Sequence, residues 1–373
     1  MRIGLVCPYN IFKNGGVQEC VLALKHHYAL LGHEAYIITP RPHGIKTKEQ
    51  DGIILLGQSR DVKSPFHTTA QVSVAFDSTN IDNMLKTHNF DVLHFHEPWV
   101  PIVSRQILLR SNTVNIATFH AKLPETMMSK TIEKVVTPYT KSILKYINAF
   151  TAVSDAGAEY ISTICDEPIT IIPNGIDLSK FADSLIHKRK DNTILYIGRL
   201  ERRKGVIYLL RAFKLLLSKL PNAKLIVVGD GPDKQKLKQY VKENHLSNVE
   251  FLGFVSEETK INLLKEATIY CSPAIYGESF GIVLLEAMAT GTVTVAGNNP
   301  GYANVLKDRG AISLVNVKDT EEFARRLILL MTDNGIRNLW NSWAGDTIKE
   351  YDYQIVAKKY LDLYKHTLSA HIK

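Results

Sequence analysis

The chain has 373 residues, 45% of them hydrophobic and 22% charged, with 45 Lys+Arg against 37 Asp+Glu. This length and composition predict two or three ordinary globular domains with ample apolar material for their cores, and they exclude disorder, collagen-like repetition and a small disulfide scaffold. Of the net +8, residues 1 to 170 carry only +1 (16 basic against 15 acidic), so the excess lies in the second half, and no zinc-finger spacing or aromatic RNA-binding signature accompanies it, which argues against a nucleic-acid partner.

The opening MRIGLVCPYN reads as a strand rather than a secretion signal, because it has no long apolar region and no small-residue cleavage site. Short Val/Ile/Leu-rich runs then alternate with helical patterns, the signature of a parallel α/β architecture. In the first half the strands read 3–9, 35–40, 53–57, 91–96, 115–120, 149–154 and 169–173, with helical stretches such as 17–31 and 132–146 between them. Near Pro173-Asn174-Gly175 the pattern restarts, with strands at 193–198, 224–231, 249–255, 268–274, 293–297 and 311–316. Only helical pattern follows, at 319–332, 335–349 and 354–366, with Glu350-Tyr351-Asp352-Tyr353 as a hinge before the last. The economical reading is two consecutive doubly wound sheets, 1–172 and 173–353, facing across a cleft, since ligands of open α/β sheets sit beyond the carboxyl ends of the strands. Every apolar run is broken by Arg or Lys before the roughly 20 residues that span a bilayer. The four cysteines, Cys7, Cys20, Cys165 and Cys271, lack the close spacing of a zinc site or redox dithiol. A cytoplasmic protein, without a transmembrane segment, is expected.

Three segments carry chemistry. Asn14-Gly15-Gly16-Val17 precedes the first helix, where two glycines let the backbone approach an anion; a tight turn without ligand is the equal alternative. It is not GxGxxG, and Pro40-Arg41-Pro42 stands where a ribose-binding acid would end the second strand, so a dinucleotide fingerprint is weak. Gly198-Arg199-Leu200-Glu201-Arg202-Arg203-Lys204-Gly205 bunches four cations beside a helix start, which suits a diphosphate; Arg199 is expected to point inward and Arg202 into solvent. Tyr276 to Gly291 follows a strand and turns into a helix at about Gly281. There the bare amides of Phe280, Gly281 and Ile282 lie at the positive helix end, with Glu278 in the loop and Glu286 inside the helix. His94, His96 and Glu97 suggest a metal, but two strand residues on one face with no third ligand in view read as packing, so no metal site is assigned.

Glu278 and Glu286, two acids with seven residues between them, resemble the hallmark of the retaining GT-B glycosyltransferases, and the likeness runs the whole chain. MRIGLVCPY with GGVQ, DVLHFHEP, ATFH, IPNGID, RKG, GESFGIVLLEAMA and YDYQIVAKKYLDLY are similar to the phosphatidylinositol mannosyltransferases in particular. The resemblance implies a donor nucleotide held mainly by the second domain, an acceptor site on the first, and a C-terminal helix, 354–373, crossing back to the first. It implies Gly16, Arg199 and Lys204 at the donor diphosphate, Glu278 at the transferred sugar, Glu286 at the ribose, and His120 near the sugar. Tyr9 and Gln18 match acceptor positions. Without the resemblance His120 reads as a satisfied structural histidine.

Val255, Glu257 and Lys260 match positions that contact guanine, although Glu257 replaces the family's Asp. A carboxylate there accepts from guanine N1 and N2, which uracil does not offer, so GDP-mannose is the expected donor and no further cofactor is needed. The implied activity is metal-independent, retaining transfer of mannose to a hydroxyl of a lipid-linked or phosphatidylinositol-like acceptor at the inner face of the membrane. A UDP-sugar transferase with a soluble acceptor, a nucleotide-sugar epimerase and a non-catalytic binding protein are the alternatives. The family's basic helix before the DVLH strand is here Phe76 to Lys86 with Asp77 and Asp82, which predicts weak attraction to anionic lipid. Lys122, Lys130, Lys134, Lys141 and Lys145, against Glu125 and Glu133 and near Met127 and Met128, form the compensating candidate.

Overall fold

The computed structural model describes residues 1–13, 15–42, 49–63, 69–74, 78–100, 102–120, 127–182 and 189–371, of which 58–63, 69–74, 78, 127–135 and 182 are described by backbone alone. The chain divides into two compact units, Met1–Gly175 with Tyr353–Lys373, and Ile176–Asp352.

In the first unit the strands are β1 (Arg2–Val6), β2 (Glu34–Pro40), β3 (Glu49–Gln50), β4 (Ile53–Leu56), β5 (Gln58–Lys63), β6 (Thr69–Val74), β7 (Val92–His96), β8 (Val114–Phe119), β9 (Ala149–Ala152) and β10 (Ile169–Ile171). Eight of them form one sheet in the order β10-β9-β8-β7-β1-β2-β4-β3, parallel except for β3 on β4, while β5 and β6 make a separate antiparallel pair. Parallel strands are covered on both faces, which is why they read as continuous apolar runs. Alternate residues go to different cores: Val6, Leu93, Phe95 and Phe119 to one, Ile3, Leu5, Val92 and Ile116 to the other. The second core is closed by the helices Gly16–Leu30 and Tyr353–His371. The last helix contributes Tyr353, Val356, Ala357, Tyr360, Leu361 and Tyr364, an apolar stripe at helical spacing.

In the second unit β11 (Thr193–Ile197), β12 (Lys224–Val228), β13 (Val249–Gly253), β14 (Ile269–Ser272), β15 (Val293–Gly297) and β16 (Leu314–Val315) pair in the order β13-β12-β11-β14-β15-β16, all parallel. Counted within the unit this is the 3-2-1-4-5-6 order of a Rossmann sheet, whose order reverses between its first and fourth strands. The first sheet reverses likewise between β1 and β7.

Two expectations needed correction. The strand expected at 311–316 survives only as Leu314–Val315, because Asp308–Ser313 winds into 3-10 turns; Trp340 Nε1 donates to Ser313 Oγ at 2.8 Å and holds them. The antiparallel pair β5–β6 was not anticipated. Of the charged segments, Asp77, Lys122 and Glu125 lie outside the described residues, and Lys130, Glu133 and Lys134 are described by backbone alone. Asp82, in the helix Ser78–His88, is not a bare surface charge, since Arg110 Nε lies 3.4 Å from its Oδ1. Among the described residues no helix is long and apolar enough to cross a membrane.

Candidate active site

Crevices of open α/β sheets form where the strand order reverses, so in the second unit the loops after β11 and β14 are the place to look. After β11 the chain turns at Gly198, buries Leu200, and makes a 3-10 turn, Arg202–Lys204. Gly205 ends that turn at φ +70°, and a Cβ there would sit 2.0 Å from the Pro273 carbonyl oxygen, so only glycine lets the turn lie against the loop after β14. The Ile275 amide donates to the Arg203 carbonyl at 2.8 Å and ties the two loops together.

The side chains follow from that contact. Glu278 Oε1 lies 2.7 Å from both Arg203 Nη1 and Lys204 Nζ. Arg203 reaches Glu201 Oε1 with its Nε at 2.6 Å and donates to the Gly277 carbonyl at 3.1 Å. Burial disfavours the Arg203 charge, but Glu278 and Glu201 outweigh it and hold the guanidinium above its ordinary range. The backbone carbonyl of Glu278 rests on Gly301, where a Cβ would be 2.1 Å away. Beyond it Gly281, at φ +109°, starts the helix Ile282–Ala289 with no capping side chain, leaving the amides of the first turn at the positive helix end.

A second cluster lies further into that helix. Glu286 is buried, and its Oε1 is 2.7 Å from Lys260 Nζ, which also lies 2.7 Å from Glu257 Oε1. Burial opposes the ammonium, yet Glu286 and Glu257 beside it keep Lys260 above its usual value. Glu257 opens the helix Glu257–Glu266 behind the Ser256 cap, its side chain 63% exposed; Val255, just before, is half-buried.

In the first unit the residues of interest gather at the ends of β1, β7 and β8. Gly16 is exposed at the first position of its helix, behind the extended Gly15, with no capping side chain. Gln18 folds back over Gly15 and its Nε2 reaches the Asn10 carbonyl at 3.5 Å. Tyr9 is half-buried, and its carbonyl accepts from Thr39 Oγ1 at 2.6 Å. Burial and then the Glu97 carboxylate push its phenol well up. His120 is buried; its amide donates to Glu97 Oε1 at 2.6 Å and its Nε2 shares a hydrogen bond with His96 Nδ1 at 2.8 Å. Burial lowers its ring to about 4, against a small opposing effect of Asn174. Glu97 also accepts from Trp99 Nε1, so it orders this loop.

The family model for group 1 glycosyl transferases matches residues 179–344, and that for glycosyltransferase family 4 matches residues 14–180. A phosphatidyl-myo-inositol mannosyltransferase of Mycolicibacterium smegmatis is 33% identical over 100% of this chain and 96% of its own length. The chain belongs to the group 1 glycosyltransferases. In fold this retaining hexosyltransferase is similar to a glycosyltransferase from Rickettsia africae (20% identity, 98% of each chain, TM-score 0.76). An Anabaena protein in complex with UDP-glucose is similar too (18% identity, 99% of this chain and 100% of the other, TM-score 0.75). Both share its GT-B architecture of two Rossmann-like domains.

Of the residues expected in the glycosyltransferase's site, Lys204 and Glu278 meet directly, and Glu257, Lys260 and Glu286 form one chain of ion pairs. Phe280, Gly281 and Ile282 stand at the helix start as expected. Arg199 does not point inward: its side chain is 47% exposed and meets the edge of the cluster, Nε to Glu201 Oε2 at 3.4 Å. The inward guanidinium is that of Arg203, because the 3-10 turn rotates residue 203, not 199, toward the β14 loop. Sequence reasoning passed over Arg203 and Glu201; the bunched charges were visible, the direction of the turn was not. In the first unit the third partner missing from the His94–His96 pattern is also present. His120 and Cys20 each bring a ligand atom within 4.8 Å of one on His96, whereas His94 and Glu97 stay outside that group.

Proposed function

We propose that this glycosyltransferase moves mannose, with retention, from GDP-mannose to a hydroxyl of a phosphatidylinositol-like or lipid-linked acceptor at the inner face of the membrane. The observation that carries the reading is the pair of charge clusters on one sheet, Arg203–Glu278–Lys204 and Glu257–Lys260–Glu286. Built on the loop and helix that carry Glu278 and Glu286 and on the two elements paired to them, they supply groups suited to diphosphate, sugar, ribose and base. The name of the full-length relative supports mannose and an inositol phospholipid.

Around Glu278 three cations, Arg199, Arg203 and Lys204, face two carboxylates, Glu201 and Glu278. A diphosphate entering here takes Lys204 and Arg199, together with the amides of Phe280, Gly281 and Ile282. Arg203 stays on Glu278 and fixes that carboxylate for the sugar hydroxyls. Glu286, anchored by Lys260, accepts from the ribose. As the glycosidic bond breaks, charge gathers on the diphosphate, and the fixed cations and amides stabilise it more than they stabilise the intact donor. The departing phosphate then takes the acceptor proton, so neither a protein nucleophile nor a metal is required. Gly16, His120, Tyr9 and Gln18 of the first unit are assigned to the donor phosphate, the sugar and the acceptor.

Base choice rests on Glu257. A carboxylate accepting two N–H bonds from guanine gains hydrogen bonds that uracil does not offer, about 1.5–3 kcal/mol for bonds to a charged group. Calorimetry of GDP and UDP on the wild type and on Glu257→Gln tests it. GDP should bind about tenfold or more tighter than UDP, and the substitution should weaken GDP alone; UDP binding as tightly as GDP refutes the base assignment.

A further inference from the structure

The first unit holds a buried polar cluster that the transfer reaction does not use in full. Cys20 projects from the helix Gly16–Leu30, His96 ends β7, and His120 follows β8; they are 1%, 0% and 7% exposed. Each offers a ligand atom within 4.8 Å of the other two. Internal hydrogen bonds account for only part of this cluster. His96 Nδ1 and His120 Nε2 share one at 2.8 Å, but His96 Nε2, equally buried, has no hydrogen-bond partner. Buried ring nitrogens are normally paired, and an orphan calls for a missing partner. The neighbouring His94 shows the contrast, with Nε2 on Thr118 Oγ1 and Nδ1 on the Tyr364 hydroxyl, each at 2.6 Å.

We propose that Cys20, His96 and His120 form a binding site for a thiophilic divalent cation of the zinc class. One thiolate and two imidazoles are a soft-to-borderline donor set; magnesium and calcium prefer oxygen, and the cluster contains none. Zinc–sulfur and zinc–nitrogen distances of about 2.3 and 2.0–2.1 Å place tetrahedral ligand atoms roughly 3.3–3.6 Å apart. The cluster therefore closes on a cation by side-chain shifts of about 1 Å. Outer neighbours are in place: Tyr353 lies beside Cys20 and Asn174 beside His120, the kind of group that orients metal ligands. Three protein ligands leave a fourth position for water. None of these residues stands close to another in sequence, so no motif announces the site.

One consequence rests on the reading of His120 as an active-site residue: a cation on its ring withdraws it from the sugar, so the metal inhibits transfer instead of supporting it. The test is titration of the reduced, EDTA-treated full-length protein with Co(II), followed by absorbance, then with Zn(II), alongside transfer rates. Wild type should take up one equivalent of Co(II) with a near-ultraviolet thiolate-to-cobalt band that Zn(II) abolishes. Cys20→Ala and Cys20→Ser should lose the band and bind Co(II) at least tenfold more weakly, with basal transfer unchanged. Absence of the band in wild type, which needs no variant to fold, overturns the proposal, as does unchanged Co(II) affinity in a folded Cys20→Ala. Zn(II) should inhibit wild type and spare Cys20→Ala. A thiolate band without inhibition upholds the cation site and removes His120 from the active site.

Discussion

Arg203 and Lys204 both hold Glu278, yet they are expected to differ in what their loss does. In the proposed reaction Lys204 exchanges its carboxylate for the donor phosphate, so Lys204→Ala should remove a charge that acts on the leaving group, typically on the order of 100-fold in rate, with little loss of stability. Arg203 spans Glu201 and Glu278 in a half-buried setting, and Arg203→Ala removes the cation that bridges them, leaving Glu278 to Lys204 alone and Glu201 to the more distant Arg199. It should lower stability as well as turnover, by about 3 kcal/mol. Urea unfolding and transfer rates on both variants check this; equal stability losses would undo the division of roles. The histidines make a pH prediction for the metal-free protein. Burial lowers His94 to about 3 and His120 to about 4, and it lowers His96 too. Above pH about 6.5 neither folded nor unfolded chain carries these protons. Below it the unfolded chain takes up protons that the folded unit refuses, so stability falls as pH falls through that window, by up to about 1.4 kcal/mol per pH unit for each ring. Unfolding in EDTA at pH 7, 6 and 5 should show the decline, and a flat profile would contradict neutral buried rings.

Among elements, the helix Ile282–Ala289 depends most on one residue. Gly281 has φ +109°, and a Cβ on it would lie 2.8 Å from Tyr302 Cδ1, whose hydroxyl is 2.7 Å from Ser272 Oγ and so is not free to retreat. Gly253 also has positive φ, +72°, but open space around it. Gly281→Ala should therefore cost more than the roughly 1–3 kcal/mol of backbone strain that Gly253→Ala incurs, and should also weaken donor binding; thermal melts and GDP titrations compare them. The elements themselves were largely legible, because strands covered on both faces must be apolar throughout and helices must show their stripe. The parallel strands of both sheets and the last three long helices lie within a few residues of where the sequence puts them. What was hidden was set by geometry without a sequence period. A 3-10 turn chose Arg203 over Arg199, and Asp308–Ser313 took residues that looked like strand. The Cys20, His96 and His120 cluster draws its members from three elements that only the sheet order brings together.

For the whole molecule, the assignment to a retaining glycosyltransferase family joins a Rossmann sheet in each unit to charge clusters suited to a nucleotide sugar. The central claim is that this charge set, without a metal, transfers mannose from GDP-mannose to an inositol phospholipid. The most direct measurement follows the product when purified enzyme is incubated with GDP-mannose and phosphatidylinositol in mixed micelles containing EDTA, with the anomeric configuration read by NMR. An α-mannosyl phosphatidylinositol formed at an undiminished rate in EDTA is the predicted result. No mannosylated lipid, an inverted anomer, or transfer that starts only when Mg or Mn is added would contradict it.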